Sequence, residues 1–465
     1  MAVTMVALIA LALLLLLLLI RVPVALGLLV SGSVGILLIG DFRLLQSVLG
    51  RDLFSSSSRF VLIIVPLFLL MSVLAKRGTV ARDAFAAASR LTRRVPGGLA
   101  VATVLGCAGF SAISGSSVAT AATMGPIAIP EMERAGYRRS IAAGAVGAAG
   151  TLGVLIPPSI ALVLYGIITQ ESIGALLLAG VVPGILTAVG YSIALVGRAT
   201  ITSSGMGQVP APISGNRVTD TQEDEAHPAS DSPSINDLSD GPVADDRVKI
   251  SSLLRIGSLF LVVVGGIYSG LFSATEAAAV GALVTLVFYL ADIRKRVDRL
   301  SEFLSSIRES ASLSSSILIL LVGASVFTFF IVYGGLPARF TNAVLAWEIG
   351  PLALLIFLLL AFIPLGMILD PLSMMLIAVP IAYPVITTLG FDGIWFGILV
   401  IKVVELGLIT PPVGLNAFVV AGSVREVTIE EAFRGIMWFF PVDIVIIVLL
   451  VSFPQLVLWL PDTMM

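Results

Sequence analysis

The stretch GVLIPP at Gly153–Pro158 recurs as GLITPP at Gly407–Pro412, and PIAIP at Pro126–Pro130 recurs as PIAYP at Pro380–Pro384. Both pairs lie 254 positions apart (407 minus 153, 380 minus 126), so no gap is needed, and Gly27 and Gly281 share the offset. Composition alone gives about half a proline coincidence at one offset, and four occur, which identifies an internal duplication. Proline and glycine interrupt a helix at a cost, and in lipid the freed backbone groups need protein or water partners. Twin interruptions in corresponding positions of two apolar halves point to a transporter's binding site.

Hydrophobic residues form 58% of the chain and charged residues 12%, in repeated uncharged runs of about 18 or more residues. The chain is therefore expected to be an all-α integral membrane protein. Val6–Ile20 lacks a basic flank and a small-residue exit, so it reads as an uncleaved first span rather than a signal peptide. A single cysteine, Cys107, excludes a disulfide framework, and a single histidine, His227, sits in polar sequence. No G-x-x-x-x-G-K-[ST] occurs. Enzyme chemistry has no nucleophile–base pair or metal cluster to use. No organic cofactor and no nucleic-acid partner are expected; lipid surrounds the chain.

Residues 1–198 form the first repeat and 250–465 the second. Between them, 199–249 is rich in Ser, Pro, Asp and Gly without apolar period, and is expected to be a disordered acidic cytoplasmic linker. Placing the basic loops Lys76–Arg94, Arg134–Arg139 and Arg294–Arg308 in the cytoplasm gives one consistent path. Spans near 3–20, 22–40 and 60–75 then begin from an outside N-terminus, although Arg43, Arg51 and Arg59 are left outside. Hairpin one, about 98–130, has basic flanks on both sides and is expected to enter and leave from the cytoplasm. A helix broken at Pro157-Pro158 follows, about 140–168, and then a span at 174–197. The second half repeats the plan with spans near 252–270, 274–291 and 312–333. Hairpin two (about 352–384), a helix broken at Pro411-Pro412 (about 394–424) and a span near 436–458 complete it. An odd number of crossings per half inverts the second repeat relative to the first.

The chemistry is expected at the two hairpin tips and the two proline breaks. Ser114, Gly115, Ser116 and Ser117 offer hydroxyls and close backbone approach, or alternatively small-residue packing. Asp370, inside GMILDPLSMM, is an intramembrane carboxylate that reads as a cation ligand, a cap for the helix opening at Pro371, or both. Thr410 and Asn416 bracket the second break and are either oxygen donors or packing groups. Lys402 and Glu405 are spaced to pair on one helix face. Glu276 reads as an interfacial N-terminal acid, and Cys107 as a packed thiol. Arg339, beside an outer loop, is open between docking and substrate contact. No membrane-embedded Arg or Lys clamp for a carboxylate stands out.

FSAISGSSVATAATMG, AAGTLGVLIPPSIALVLYG, GMILDPLSMMLIAVPI and ELGLITPPVGLNAFVVAG, in this order, resemble the large membrane subunit of tripartite ATP-independent periplasmic (TRAP) transporters, DctM or SiaM type. The resemblance covers nearly everything except the linker. It implies an ion-transporter-superfamily fold with two re-entrant hairpins and an elevator mechanism. It further implies sodium-coupled uptake of a small carboxylate such as a dicarboxylate, a 2-oxo acid or sialic acid. A separate small four-helix membrane subunit and a periplasmic substrate-binding protein would complete the system, in a bacterial or archaeal inner membrane. By that likeness sodium ligands fall at Ser114–Ser117, around Gly153 and Pro157, at Gly366, Leu369, Asp370 and Ser373, and at Thr410 and Pro411. Substrate contacts fall at Ser117, Thr120, Pro158, Asp370, Pro412 and Asn416. Family members often carry an Asp where this chain has Thr120, and the likeness leaves the long acidic linker unexplained. The other reading is a stand-alone sodium- or proton-coupled carboxylate transporter of the same superfamily.

Overall fold

The computed structural model describes residues 3–52, 58–201, 255, 257–294, 298–346 and 350–464. Beyond Ile201, the expected linker lies outside the described residues. Among the described residues all regular elements are helical. Six helices are long and apolar enough to cross a bilayer, or up to eight if each of two bent pairs is one span.

Hairpin one consists of Gly98–Ser114 and Ser117–Arg134. Gly115, at φ +61°, takes the left-handed conformation that ends the first arm. Ser116 is extended and caps the second arm, its hydroxyl accepting from the Ala119 N–H at 3.4 Å. Hairpin two consists of Pro351–Ile368 and Pro371–Thr388 and turns differently. Leu369 and Asp370 are both extended, Asp370 caps the second arm, and Pro371 fills its first position.

The first broken helix runs through Arg139–Gly150 and Leu152–Leu155, then resumes as Ile160–Thr169 at a 40° bend. Ser159 restarts it by accepting from the Leu162 N–H at 3.2 Å. The second runs through Gly393–Ile409 and resumes as Leu415–Ser423. Both Pro–Pro peptide bonds are cis.

The halves exchange partners. Hairpin one packs on Arg139–Gly150 of its own half and on Leu415–Ser423 of the other. Hairpin two packs on Gly393–Ile409 of its own half and on Ile160–Thr169 of the other. Outside them, Val24–Ile39 packs on Arg299–Tyr333, and Ala274–Ile293 on Ile64–Arg77. Small residues make these crossings close: a Cβ on Gly323 would stand 2.1 Å from the Ala25 carbonyl oxygen. Two large apolar cores result among the described residues, beside a small cluster of Leu74, Tyr289 and Ile293. One gathers Phe85, Phe110, Met124 and Phe439 around hairpin one; the other gathers Tyr165, Phe327, Met374 and Phe396 around hairpin two.

Several expected boundaries shift. The basic stretch Lys76–Arg94 contains the helix Val80–Leu91, because Val80, Ala81, Ala84, Phe85 and Ala88 form one buried face. Arg299–Tyr333 is a single helix of 35 residues that begins inside the expected basic loop. The last span is two helices, Ile429–Ile436 and Phe440–Ser452, bent by 42°. Leu336–Leu345 is an additional short helix after Gly335, at φ +63°.

Candidate functional site

The structure seats the tip of hairpin one directly in the first break. A Cβ on Gly115 would stand 2.6 Å from the Pro158 carbonyl oxygen, and one on Gly153 would stand 2.6 Å from the Ser116 carbonyl. The Gly115 carbonyl accepts from the Ile160 N–H at 3.5 Å. Ser114, Ser117, Pro157 and Pro158 are all buried there. The Thr120 hydroxyl lies 2.7 Å from that of Ser114 and 3.4 Å from that of Ser111, so these hydroxyls tie the hairpin's arms together. Backbone carbonyls and serine and threonine hydroxyls thus lie close together where the tip meets the break. Oxygens freed by a broken helix at membrane depth are what a hard monovalent cation takes.

The second half is looser. Gly407, the repeat mate of Gly153, seats against Gly366, where its Cβ would stand 2.8 Å from the Gly366 carbonyl carbon. Asp370 accepts from the Leu372 and Ser373 N–H groups at 3.1 Å each and from the Ser373 hydroxyl. It is a well-made cap, and a carboxylate so placed still has lone pairs for a cation. Thr410 donates to the Leu406 carbonyl at 2.6 Å. Asn416 does not join tip two: its Nδ2 donates to the Gly147 carbonyl at 3.2 Å, across to the first half, and its Oδ1 is buried without a partner. Pro411 and Pro412 are exposed. Among the described residues, no hydrogen bond links Asp370 or Ser373 to Thr410 or Asn416.

The expected Lys402–Glu405 pair does not form. Lys402 is bonded instead to Asp443, which also accepts from the Tyr191 hydroxyl at 2.8 Å. The local spacing permitted a pair within the helix, but Asp443 on a neighbouring helix reaches the ammonium first. Asp443 was legible by the rule that flagged Asp370, an acid within an apolar run. Glu276 forms a capping box with Ser273, Cys107 is buried, and Arg339 is exposed.

Residues 11–456 match the model of the tripartite ATP-independent periplasmic transporter DctM component. The chain belongs to this family. It is accordingly a TRAP large permease, a multi-pass protein of the bacterial inner membrane and not an enzyme. It is 34% identical to the C4-dicarboxylate TRAP large permease DctM of Pseudomonas aeruginosa, over 93% of each chain. It is 28% identical to the sialic acid TRAP large permease SiaM of Vibrio cholerae, over 94% of this chain and 92% of that one. It is 29% identical to the isethionate TRAP permease DctMQ of Oleidesulfovibrio alaskensis, over 90% of this chain but 60% of that one. Its fold resembles the YdaH transporter of Alcanivorax borkumensis, with a TM-score of 0.59, 14% identity and 89% of each chain covered.

Proposed function

We propose that this TRAP large permease imports a small carboxylate by sodium coupling, with each broken helix and hairpin tip forming one cation site. The observation that carries this reading is the seating of tip one in the first break, where Gly115 and Gly153 bring backbone oxygens together. Sodium is the proposed co-substrate, held by Ser114–Ser117, Gly153 and Pro157 in one half and by Gly366, Leu369, Asp370, Ser373, Thr410 and Pro411 in the other. Ser117, Thr120, Pro158, Asp370, Pro412 and Asn416 would face the carboxylate. Names of relatives support a small cargo bearing an acidic group, since they specify C4-dicarboxylate, sialic acid, isethionate and ectoine transport.

Residues 1–198 and 250–465 are the proposed inverted repeats, with the N-terminus outside and both hairpins re-entrant, moving as an elevator. A cysteine at Arg93→Cys should then be shielded from an impermeant external thiol reagent and one at Thr388→Cys should react, in a Cys107→Ala background. Labelling of both from one face would end the inverted arrangement.

A separate small membrane subunit and a periplasmic binding protein are the proposed partners. This chain spans only 60% of a fused permease relative, which leaves room for a small-subunit counterpart there. In proteoliposomes the chain alone should transport little. Sodium-driven uptake should appear when the small subunit and loaded binding protein are added. Robust uptake by the single polypeptide would favour the stand-alone transporter.

A further inference from the structure

Three charged side chains are fully buried among the described residues: Lys402, Glu405 and Asp443, at 0%, 1% and 1% exposure. They share one region. Lys402 and Glu405 lie one turn apart on Gly393–Ile409, and Asp443 meets Lys402 from Phe440–Ser452. Tyr191 joins from Ile173–Ile201, its hydroxyl 2.8 Å from Asp443 and 3.4 Å from the Thr151 hydroxyl at the first break. One ammonium thus serves two carboxylates. It is bonded to Asp443, and both Glu405 oxygens are buried without a hydrogen-bond partner.

An ionised carboxylate left in that state costs several kcal/mol, and the nearest ammonium, Lys402, is already bonded to Asp443, so a bound cation would complete the charge balance of Glu405. The Ser117 hydroxyl of hairpin one lies beside the Glu405 carboxylate. Glu405 therefore stands at the tip of hairpin one, next to the Ser116 and Ser117 backbone that Gly153 touches.

We propose that Glu405 is a cation ligand, supplying the full negative charge to the monovalent cation at the tip of hairpin one, with Ser117 opposite. The inference rests on the sodium-coupled reading above and assigns the charge in its first site to a residue of the other half. The electrostatics close: Asp443 balances Lys402, and the cation balances Glu405. When the cation leaves, Lys402 is the one buried positive charge within a helical turn. It is then shared between Asp443 and Glu405, so ion occupancy at hairpin one reaches the packing of Phe440–Ser452.

The test uses the purified complex with its small subunit, titrated with sodium chloride against potassium chloride at constant ionic strength, reading the thermal midpoint. Sodium should raise the wild-type midpoint. Glu405→Gln should weaken the apparent sodium affinity by about tenfold or more, as loss of a ligand does. Its sodium-free midpoint should equal or exceed that of wild type, because an uncompensated charge has gone. Ser117→Ala should weaken sodium in the same direction, by less. Wild-type sodium affinity in Glu405→Gln overturns the proposal, including the case in which its sodium-free stability rises because Glu405 had held a proton. If Glu405→Gln does not purify, Glu405→Asp keeps the charge but shortens the arm: weakened sodium affinity supports the proposal and unchanged affinity overturns it. Absence of any sodium response in wild type would sink the sodium-coupled reading itself, and this inference with it.

Discussion

Ser114 and Ser117 at the tip of hairpin one are each 1% exposed, whereas Ile368 beside the tip of hairpin two is 71% exposed and Asp370 is half-buried. The two tips occupy corresponding positions at the 254-residue offset, and so do their anchoring glycines. Gly153 grips hairpin one at the tip itself, on Ser116. Gly407 grips hairpin two one turn short of its tip, on Gly366. Backbone contact on both sides holds tip one, whereas tip two rests on side-chain packing of Leu369 and Leu372 and is partly exposed. The corresponding motifs thus leave one hairpin tip buried and the other partly exposed.

The largest expected effect tests what holds the second half. The repeat mate of Lys402 is Ala148 (402 minus 254), so the first broken helix has no equivalent charge there. Lys402→Met should destabilise the protein by about 3–5 kcal/mol, because it strands a buried Asp443, and Lys402→Met with Asp443→Leu should recover most of that. Wild-type stability in the single variant, measured by thermal unfolding in detergent, would mean that the charge pair contributes nothing to this half.

Next come the glycines. Gly153→Ala places a methyl group against rigid backbone and should cost on the order of 1–3 kcal/mol. Gly366→Ala meets its nearest atom, the Val404 carbonyl oxygen, at 3.1 Å, and should cost under about 1 kcal/mol. Equal losses would erase the distinction between a tip held by backbone contact and one held by side-chain packing.

Asp370→Asn keeps the helix cap, since Asn and Asp cap equally well, so melting should be nearly unchanged. The sodium concentration that half-activates uptake should rise by on the order of tenfold. An unaltered sodium response would leave Asp370 as a cap only. Ser116→Ala is the mildest: its cap bond is 3.4 Å long, so a loss of about 0.5–1 kcal/mol is expected. A larger drop in melting than for Gly153→Ala would show that hydroxyls, rather than backbone contact, seal tip one.

Both tips and both breaks were legible because Pro and Gly force the backbone wherever they stand: Gly115 turns left-handed, and Pro371 opens a helix at Asp370. Helix Val80–Leu91 was obscured by the arginines on its exposed side, although its apolar spacing was present in the sequence. The Lys402 partner is not legible in the sequence, for a different reason. Spacing within one helix is local, whereas Asp443 lies 41 residues further on and meets Lys402 only once separate helices pack. Asn416 crossing to Gly147 is hidden in the same way.

The exchange of partners between halves also has a consequence during synthesis. Arg139–Gly150 and hairpin one await Leu415–Ser423 to complete their packing, a segment made more than 260 residues later. At about 5–20 residues per second, the first half remains unfinished in the bilayer for roughly a quarter of a minute to most of a minute. During that interval its small-residue faces lack their final partner. The two halves should therefore mature together, and a chain stopped before residue 415 should be a substrate for quality-control proteolysis rather than a stable half-transporter.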